Sequence, residues 1–306
     1  MAISVTILLA YLVVHASSHG VVTKITGANG VEMPGLSVAD GTPRDCSSNG
    51  CGSQADTAII RDREINSGEV GPLGRTQGNG PIDAATMIQS FMGAASAPTN
   101  NGSGVGVEDD LSGTPVASKA SKNAARGKSA PRQLGRLAGG LAGLFGAGGD
   151  GDKNTGPPES NVAATAGTGA TEGLPTCADD GTITMTYRQI NQDGAGPLEA
   201  MVDGTSGGTD MSAFQNAEVT QDVPGLGIQG LSLATTTDFP LQVQMPAGMT
   251  CDASVGGADN VCVVRVRNGA GAGPFGGSAA FTQSPAARKR ALAYRMRKRM
   301  EVAFKA

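Results

Sequence analysis

Glycine constrains this chain more than any other residue, since it accounts for 47 of the 306 residues. Glycine loses more backbone entropy on folding than other residues and weakens helices. Aromatic residues make up only 3% of the chain and tryptophan is absent. A core must therefore be built from Val, Ile, Leu and Met. The composition predicts a β-rich or loop-rich fold.

Several segments alternate apolar with polar residues, which is the pattern of half-buried antiparallel strands. The alternating segments are residues 182–190, 239–245 and 262–267, and residues 21–25 are predicted to form a first strand. Turn signals such as Asp193-Gly194 separate them. We therefore predict an all-β fold, an antiparallel β-sandwich of immunoglobulin-like type.

Residues 94–158 break this pattern, because they consist mainly of Gly, Ala, Ser and Asn with scattered charges. Such a composition cannot bury enough apolar surface to offset the entropy of ordering the chain. We predict a flexible, low-complexity insertion between two parts of one β-sandwich, residues 19–93 and residues 159–285. The insertion contains an N-glycosylation sequon at Asn101.

The first eighteen residues have the pattern of a secretory signal peptide. An apolar core at residues 3–14 is followed by the small residues Ala16-Ser17-Ser18. The core is too short to span a bilayer, and no later segment approaches the roughly 20 apolar residues that a spanning helix needs. We expect a secreted protein, extracellular or associated with the cell wall, that begins at His19.

The five cysteines suit an oxidising compartment. They include two pairs that are close in the chain, Cys46 with Cys51 and Cys251 with Cys262. We predict a local disulfide within each pair, so Cys177 is left without a disulfide partner.

Charge is divided unevenly along the chain. Residues 286–306, the basic tail, contain eight basic residues and one acidic residue. Residues 19–285, the body, have a net charge of −11. As a helix, this basic tail would carry an apolar stripe beside its cations, which suits an anionic membrane or an anionic wall polymer. The alternatives are docking onto the acidic body, removal at Lys289-Arg290 or Lys298-Arg299, and a solvated tail without a role.

An N-terminal histidine can chelate one metal ion through its α-amine and an imidazole nitrogen. The arrangement is similar to the brace that holds copper in lytic polysaccharide monooxygenases, where a second histidine completes the site. A β-sandwich like that of those oxidases would then fit the strand pattern. The alternative is that His19 merely happens to follow the cleavage site.

Five short strings add a resemblance to these patterns. They are Thr42-Pro-Arg-Asp45, Gly78-Asn-Gly-Pro81, Arg188-Gln-Ile-Asn-Gln-Asp-Gly-Ala-Gly-Pro197, Thr237-Asp-Phe-Pro240 and Gly273-Pro-Phe-Gly-Gly277. In these strings the chain resembles the Egh-type family, the MAS- and GAS-type proteins of fungal appressoria, which are the cells that breach host cuticle. The resemblance implies a secreted virulence factor of the infection stage whose mature chain begins with His-Gly, here His19-Gly20.

The resemblance also bears on copper. Some relatives place a histidine in the strand before the Asn-x-Asp-Gly turn, where it would complete a brace, and Arg188 takes that position here. Arginine stays protonated and cannot ligate copper. Copper would then bind more weakly, through His19 with a carboxylate or Gln189. Phe275 is either an aromatic packed beside such a site or a core residue in a glycine-rich turn.

Two function classes follow from these observations. The first is a non-enzymatic virulence factor that binds a polysaccharide or an anionic membrane at the fungal or host surface. The second is a copper protein centred on His19. A nucleophilic triad is not expected, because His19 is the only histidine after the signal peptide. Nucleic acid is not an expected partner of a secreted protein with an acidic body.

Overall fold

The computed structural model describes residues 19–100, 151–192, 194–226 and 230–305. The predicted signal peptide, the sequon at Asn101 and residues 101–150 of the predicted insertion lie outside these ranges.

The described residues form thirteen β-strands and five α-helices. The strands are β1 (Gly20–Thr26), β2 (Glu32–Pro34), β3 (Ala58–Ile59), β4 (Arg75–Thr76), β5 (Gly80–Pro81), β6 (Asp152–Lys153), β7 (Thr182–Gln189), β8 (Glu199–Asp203), β9 (Phe214–Gln221), β10 (Thr237–Gln244), β11 (Ala253–Val255), β12 (Ala258–Arg267) and β13 (Phe275–Phe281). The helices are α1 (Asp62–Asn66), α2 (Ala84–Phe91), α3 (Asn161–Ala164), α4 (Thr168–Glu172) and α5 (Pro285–Lys305).

The strands of the described chain belong to one curled sheet in which all strand pairs are antiparallel. The strand order is β2-β1-β7-β10-β9-β8-β12-β13-β3-β4-β5, with β6 beside β10 and β11 beside β12. Because β9 pairs with both β10 and β8, the two layers of the predicted sandwich are halves of a single sheet. The predicted all-β, antiparallel class is confirmed.

The two halves of the sheet face each other across the core. Strand β1 lies against β13, and Leu36, just after β2, donates its N–H to the carbonyl oxygen of Ser278 over 2.8 Å. Val22, Leu241 and Val264, from three different strands, are fully buried between the halves. Apolar burial of this kind is the main favourable term in the folding of such a sheet.

Strand β7 shows the burial that its alternation predicts, since Ile183, Met185 and Tyr187 are buried. Strand β12 differs, because Arg265 on its polar face is only 2% exposed. The Arg265 guanidinium donates to the carbonyl oxygen of Pro72 over 2.6 Å and lies 5.1 Å from the ring centroid of Phe214. Burial lowers the pKa of Arg265 to about 10.

Both predicted disulfides are present. Cys46 is bonded to Cys51, and Cys251 to Cys262 in β12. Cys177 is a buried thiol, and its burial raises its pKa above the ordinary value. The second disulfide fixes the segment before β11 to the sheet.

Asp40 contacts the chain on both sides of the predicted insertion. Its carbonyl oxygen accepts from the N–H of Asn100 over 2.8 Å. Its carboxylate accepts from the N–H groups of Val162 and Ala163 over 3.0 and 2.8 Å. Strand β6, which pairs with β10, also lies within the predicted insertion. Ordered contacts therefore extend into residues 94–158 from both of its ends.

Helix α5 follows β13 and packs its first turns on the sheet through the buried Ala287 and Ala291. From Arg295 onward, the side chains described in this helix are exposed. In the part of the chain described above, no helix combines the length and apolar character needed to cross a bilayer.

Candidate functional site

His19 lies immediately before β1 and is 1% exposed. Strand β1 pairs with β7 so that Gly20 is opposite Gln189. As a result, the carbonyl oxygen of His19 accepts from the N–H of Ile190 over 2.9 Å. This pairing places His19 beside the loop of residues 190–197, which belongs to the longest of the five family strings.

Asn191 in this loop faces both chelating nitrogens of His19. The main-chain nitrogen of His19 donates to Oδ1 of Asn191 over 2.6 Å. Nδ1 of the imidazole lies 3.4 Å from Nδ2 of Asn191, an arrangement that makes Nδ1 the acceptor in one tautomer. One amide therefore occupies the position between the two nitrogens.

Glycine is required where the loop passes His19. A Cβ on Gly194 would lie 2.0 Å from the carbonyl oxygen of His19, and a Cβ on Gly20 would lie 2.0 Å from Oη of Tyr187. Tyr187 donates that hydroxyl to the carbonyl oxygen of Gly194 over 3.0 Å. Burial raises the pKa of Tyr187 well above its ordinary value, so the hydroxyl remains a donor.

The structure brings Phe275 against His19, with ring centroids 4.5 Å apart and ring planes tilted by 41°. Phe275 is fully buried at the start of β13. Its N–H donates to Oδ1 of Asn268 over 3.0 Å, and Nδ2 of Asn268 donates to the carbonyl oxygen of Ala195 over 3.3 Å. The Gly-Pro-Phe-Gly-Gly string and the loop around His19 are thus joined through Asn268.

Arg188 and Gln189 make their side-chain contacts elsewhere. The Arg188 guanidinium donates to Asp238 over 2.9 Å and to the carbonyl oxygens of Asn154 and Arg44. Gln189 donates its Nε2 to the carbonyl oxygens of Asn191 and Ala234 and to the hydroxyl of Ser232, over 2.7 to 2.9 Å. Neither side chain is directed to His19 as a second ligand in these contacts.

A buried ion cluster, formed by Arg44, Asp56 and Glu159, lies next to Arg188. The Arg44 guanidinium forms a bidentate ion pair with the carboxylate of Asp56, with N–O distances of 2.5 and 3.0 Å. It also donates to the carboxylate of Glu159 over 2.9 Å. Burial acts to lower the pKa of Arg44, but the two carboxylates outweigh it and raise that pKa above its ordinary value. Sequence reasoning missed this cluster, although Arg44 lies in the first family string and Asp238, the partner of Arg188, lies in the fourth.

The described residues lack the second histidine of a copper brace, because His19 is the only histidine among them. No group of three His, Cys, Asp or Glu side chains in the described ranges is arranged to hold a metal ion. Copper at His19 would have to displace the Asn191 amide from both nitrogens. An N-terminal copper chelate therefore remains a prediction, and it depends on cleavage before His19.

Four of the five family strings thus meet in two neighbouring places, one around His19 and one around Arg44 and Arg188. These features define a disulfide-bonded, antiparallel β-protein with a buried histidine ahead of its first strand. The chain belongs to the Egh16-like virulence factor family, whose model matches residues 17–276.

Two relatives from Pyricularia oryzae can be compared along the chain. Appressoria-specific virulence factor GAS2 is 53% identical over 296 residues, which cover 97% of this chain and 94% of that protein. Appressoria-specific virulence factor GAS1 is 40% identical over 124 residues, which cover 39% of this chain and 48% of that protein. No solved structure matches this chain.

Proposed function

We propose that this protein is a secreted virulence factor of the appressorium that acts outside the fungal cell by binding a surface. The observation that carries the proposal is the near full-length similarity to a protein named as an appressoria-specific virulence factor. A virulence role follows from that relationship, and secretion and binding are the finer steps proposed here.

Secretion is supported by two independent features. The first eighteen residues have the pattern of a signal peptide. The two disulfides are typical of proteins that fold in an oxidising compartment. Binding is supported by the segregation of charge, because a basic helix beside an acidic body offers an anionic surface a single cationic face.

Complementation tests the proposal. A Pyricularia oryzae strain without GAS2 would receive this full chain, or the same chain without residues 2–18. We expect the full chain to restore host penetration and the leaderless chain to fail while accumulating inside the cell. Equal rescue by both chains would contradict an extracellular role, and no rescue by the full chain would contradict the shared virulence role.

A second candidate function, binding of Cu(II) by a processed N-terminus, is favoured by one observation. The main-chain nitrogen and Nδ1 of His19 face the same side chain, so an ion in place of the Asn191 amide would meet both nitrogens. Phe275 would then lie beside the copper-binding imidazole. Copper titration of protein that begins at His19 tests this candidate.

A further inference from the structure

Helix α5 has an inner half, residues 285–295, whose side chains bond to the body. Its outer half, residues 296–305, is exposed where its side chains are described. In the inner half, Arg288 and Arg290 donate to the carbonyl oxygens of Cys251 and Asp179, each over 2.9 Å. Arg295 makes a further bond of 2.6 Å to the carbonyl oxygen of Gly248. The side chains of residues 296–304 are all exposed. The inner half therefore anchors the helix, and the outer half is available to a partner.

Four of the five exposed large apolar side chains described in α5 lie in one line, and the fifth, Val302, lies on another face. Leu292, Met296, Met300 and Phe304 are four residues apart, so they follow one face of the helix. Their exposed fractions are 44%, 59%, 55% and 92%. Because each residue turns the helix by about 100°, this apolar stripe lies on the side opposite the buried Ala287 and Ala291. The stripe therefore faces away from the body.

Cations border the apolar stripe. On the same helical wheel, Arg297 lies at one edge of the stripe, and Arg295 and Arg299 lie at the other edge. Glu301 is the only acidic residue of the helix. A stripe of apolar side chains bordered by arginines is the arrangement of helices that lie in the interface of an anionic bilayer.

The acidic body would be repelled by such a bilayer, so the position of the cations decides whether binding is possible. An α-helix with its side chains is about 10 to 12 Å across, and the stripe lies on the side away from the body. Screening limits the reach of surface charge to about 8 Å at physiological ionic strength. The outer half of α5 can therefore contact an anionic surface while most of the body, with its net charge of −11, remains beyond the range of repulsion.

We propose that the outer half of α5 is a docking element for an anionic phospholipid bilayer, with the apolar stripe inserted among the acyl chains. The proposal specifies the surface-binding step of the proposed function and rests on it. A bilayer is favoured over a soluble polyanion because a polyanion would engage the cations and leave the apolar stripe in water.

The experiment measures binding of the secreted full-length protein to phosphatidylcholine vesicles with and without phosphatidylserine, by co-sedimentation at low and physiological salt. A cation variant carries Arg297→Gln and Arg299→Gln, the exposed cations at the two edges of the stripe. A stripe variant carries Met296→Gln, Met300→Gln and Phe304→Gln. A matched control removes two cations from the body through Arg63→Gln and Lys153→Gln. Thermal unfolding of each variant checks the fold, and the outer half of α5 should contribute little to it.

We expect binding only when phosphatidylserine is present, and we expect it to weaken as salt rises. Since each cation near such a surface contributes about 1 kcal/mol, the cation variant should bind about 30-fold more weakly. The stripe variant should also lose binding, whereas the body control, whose substitutions lie outside α5, should bind about as well as the wild type.

Several outcomes would overturn this proposal. Equal binding by the wild type and the cation variant would show that the cations of α5 do not bind the bilayer. Unchanged binding by the stripe variant would show that the apolar stripe does not insert into it. Binding to polygalacturonate but not to vesicles would identify a polymer partner instead. If the wild type forms concentration-dependent dimers but does not bind vesicles, and the stripe variant forms no dimers, the partner of the stripe is a second copy of this chain. A secreted mass that ends at Arg290 or Arg299 would show that all or part of the outer half is removed.

The complementation experiment fails independently of this one. A stripe variant that restores host penetration, although it does not bind vesicles, would separate membrane docking from virulence. Vesicle binding by a chain that does not restore penetration would leave the docking element intact and contradict the proposed function.

Discussion

Arg44 and Glu159 are 115 positions apart in the chain, yet their side chains form an ion pair of 2.9 Å in the interior. Asp56, which precedes the insertion as Arg44 does, forms a second ion pair with Arg44. The three buried charges therefore join the chain before the insertion to the chain after it.

Glu159→Gln should destabilise the protein by about 3 kcal/mol, because removing one partner of a buried ion pair leaves the other without its full compensation. Urea unfolding at neutral pH measures the change. Glu172→Gln, at an exposed position in α4, is the matched control and should change stability little. Equal stabilities of the two variants would show that the pair makes no net contribution.

Gly194→Ala should destabilise the protein by about 3 kcal/mol or prevent folding, because the added Cβ would meet the carbonyl oxygen of His19. Gly269→Ala is the control, since no atom lies within 4 Å of a Cβ at that position. Thermal unfolding compares the two variants. A Gly194→Ala protein as stable as the Gly269→Ala protein would mean that the loop does not pass His19 this closely in solution.

Asn191→Ala should strengthen Cu(II) binding at His19. The substitution removes the amide that faces both nitrogens, and a hydrogen bond to a charged group is strong enough to change affinity about tenfold. Calorimetry and electron paramagnetic resonance on protein shown by N-terminal sequencing to begin at His19 measure the effect. His19→Ala should abolish the binding. Weak binding that neither substitution changes would end the copper hypothesis.

Stability in acid should depend on Glu64. Burial acts to raise the pKa of Glu64, but its hydrogen bonds with Arg75 and Arg61 outweigh burial and hold the pKa below its ordinary value of 4.5. The pKa is lower in the folded than in the unfolded state. The stabilisation is therefore complete above the ordinary value and is lost as pH falls through the folded-state value.

Glu64→Gln should accordingly lower stability at neutral pH and lose less stability than the wild type on acidification to about pH 3. Urea unfolding over this pH range measures both effects. Glu69→Gln, at an exposed position nearby, is the control and should follow the wild-type profile. Parallel profiles for Glu64→Gln and the wild type would contradict the assignment.

Replacing residues 101–150 with a short Gly/Ser linker should leave thermal unfolding almost unchanged, because loop length affects closure entropy only logarithmically. Replacing the whole of residues 94–158 should lower the melting temperature. The longer replacement removes β6 and the bond from Asn100 to Asp40. A similar loss with both replacements would show that residues 101–150 also stabilise the fold.

Local patterns in the sequence predicted the parts of the fold that depend on neighbouring residues. Alternation over residues 182–190 predicted β7, and the short spacing of Cys251 and Cys262 predicted their bond. Strands β3, β4 and β5 contain two residues each and carry no recognisable period. Such short strands are defined by the partner they pair with, so a local pattern cannot reveal them.

The same reason explains what was missed at the site. Arg44 and Arg265 look like surface residues in the sequence, because nothing near them in the chain indicates burial. Arg44 is buried by Asp56 and Glu159, and Arg265 by Pro72 and Phe214. The resemblance to the family marked His19, Arg188 and Phe275. What their side chains meet follows from the register of β1 on β7 and of β13 on β3.

Asp40 receives hydrogen bonds from Asn100 on one side of the insertion and from Val162 and Ala163 on the other. Asn100 and the start of α3 thus meet at a single residue of the body. We expect a change of length within residues 101–150 to leave the described strands in register. An epitope tag, a fluorescent domain or a protease site placed within residues 101–150 should therefore report on the protein in living appressoria while both the His19 end and the α5 end keep their native sequence.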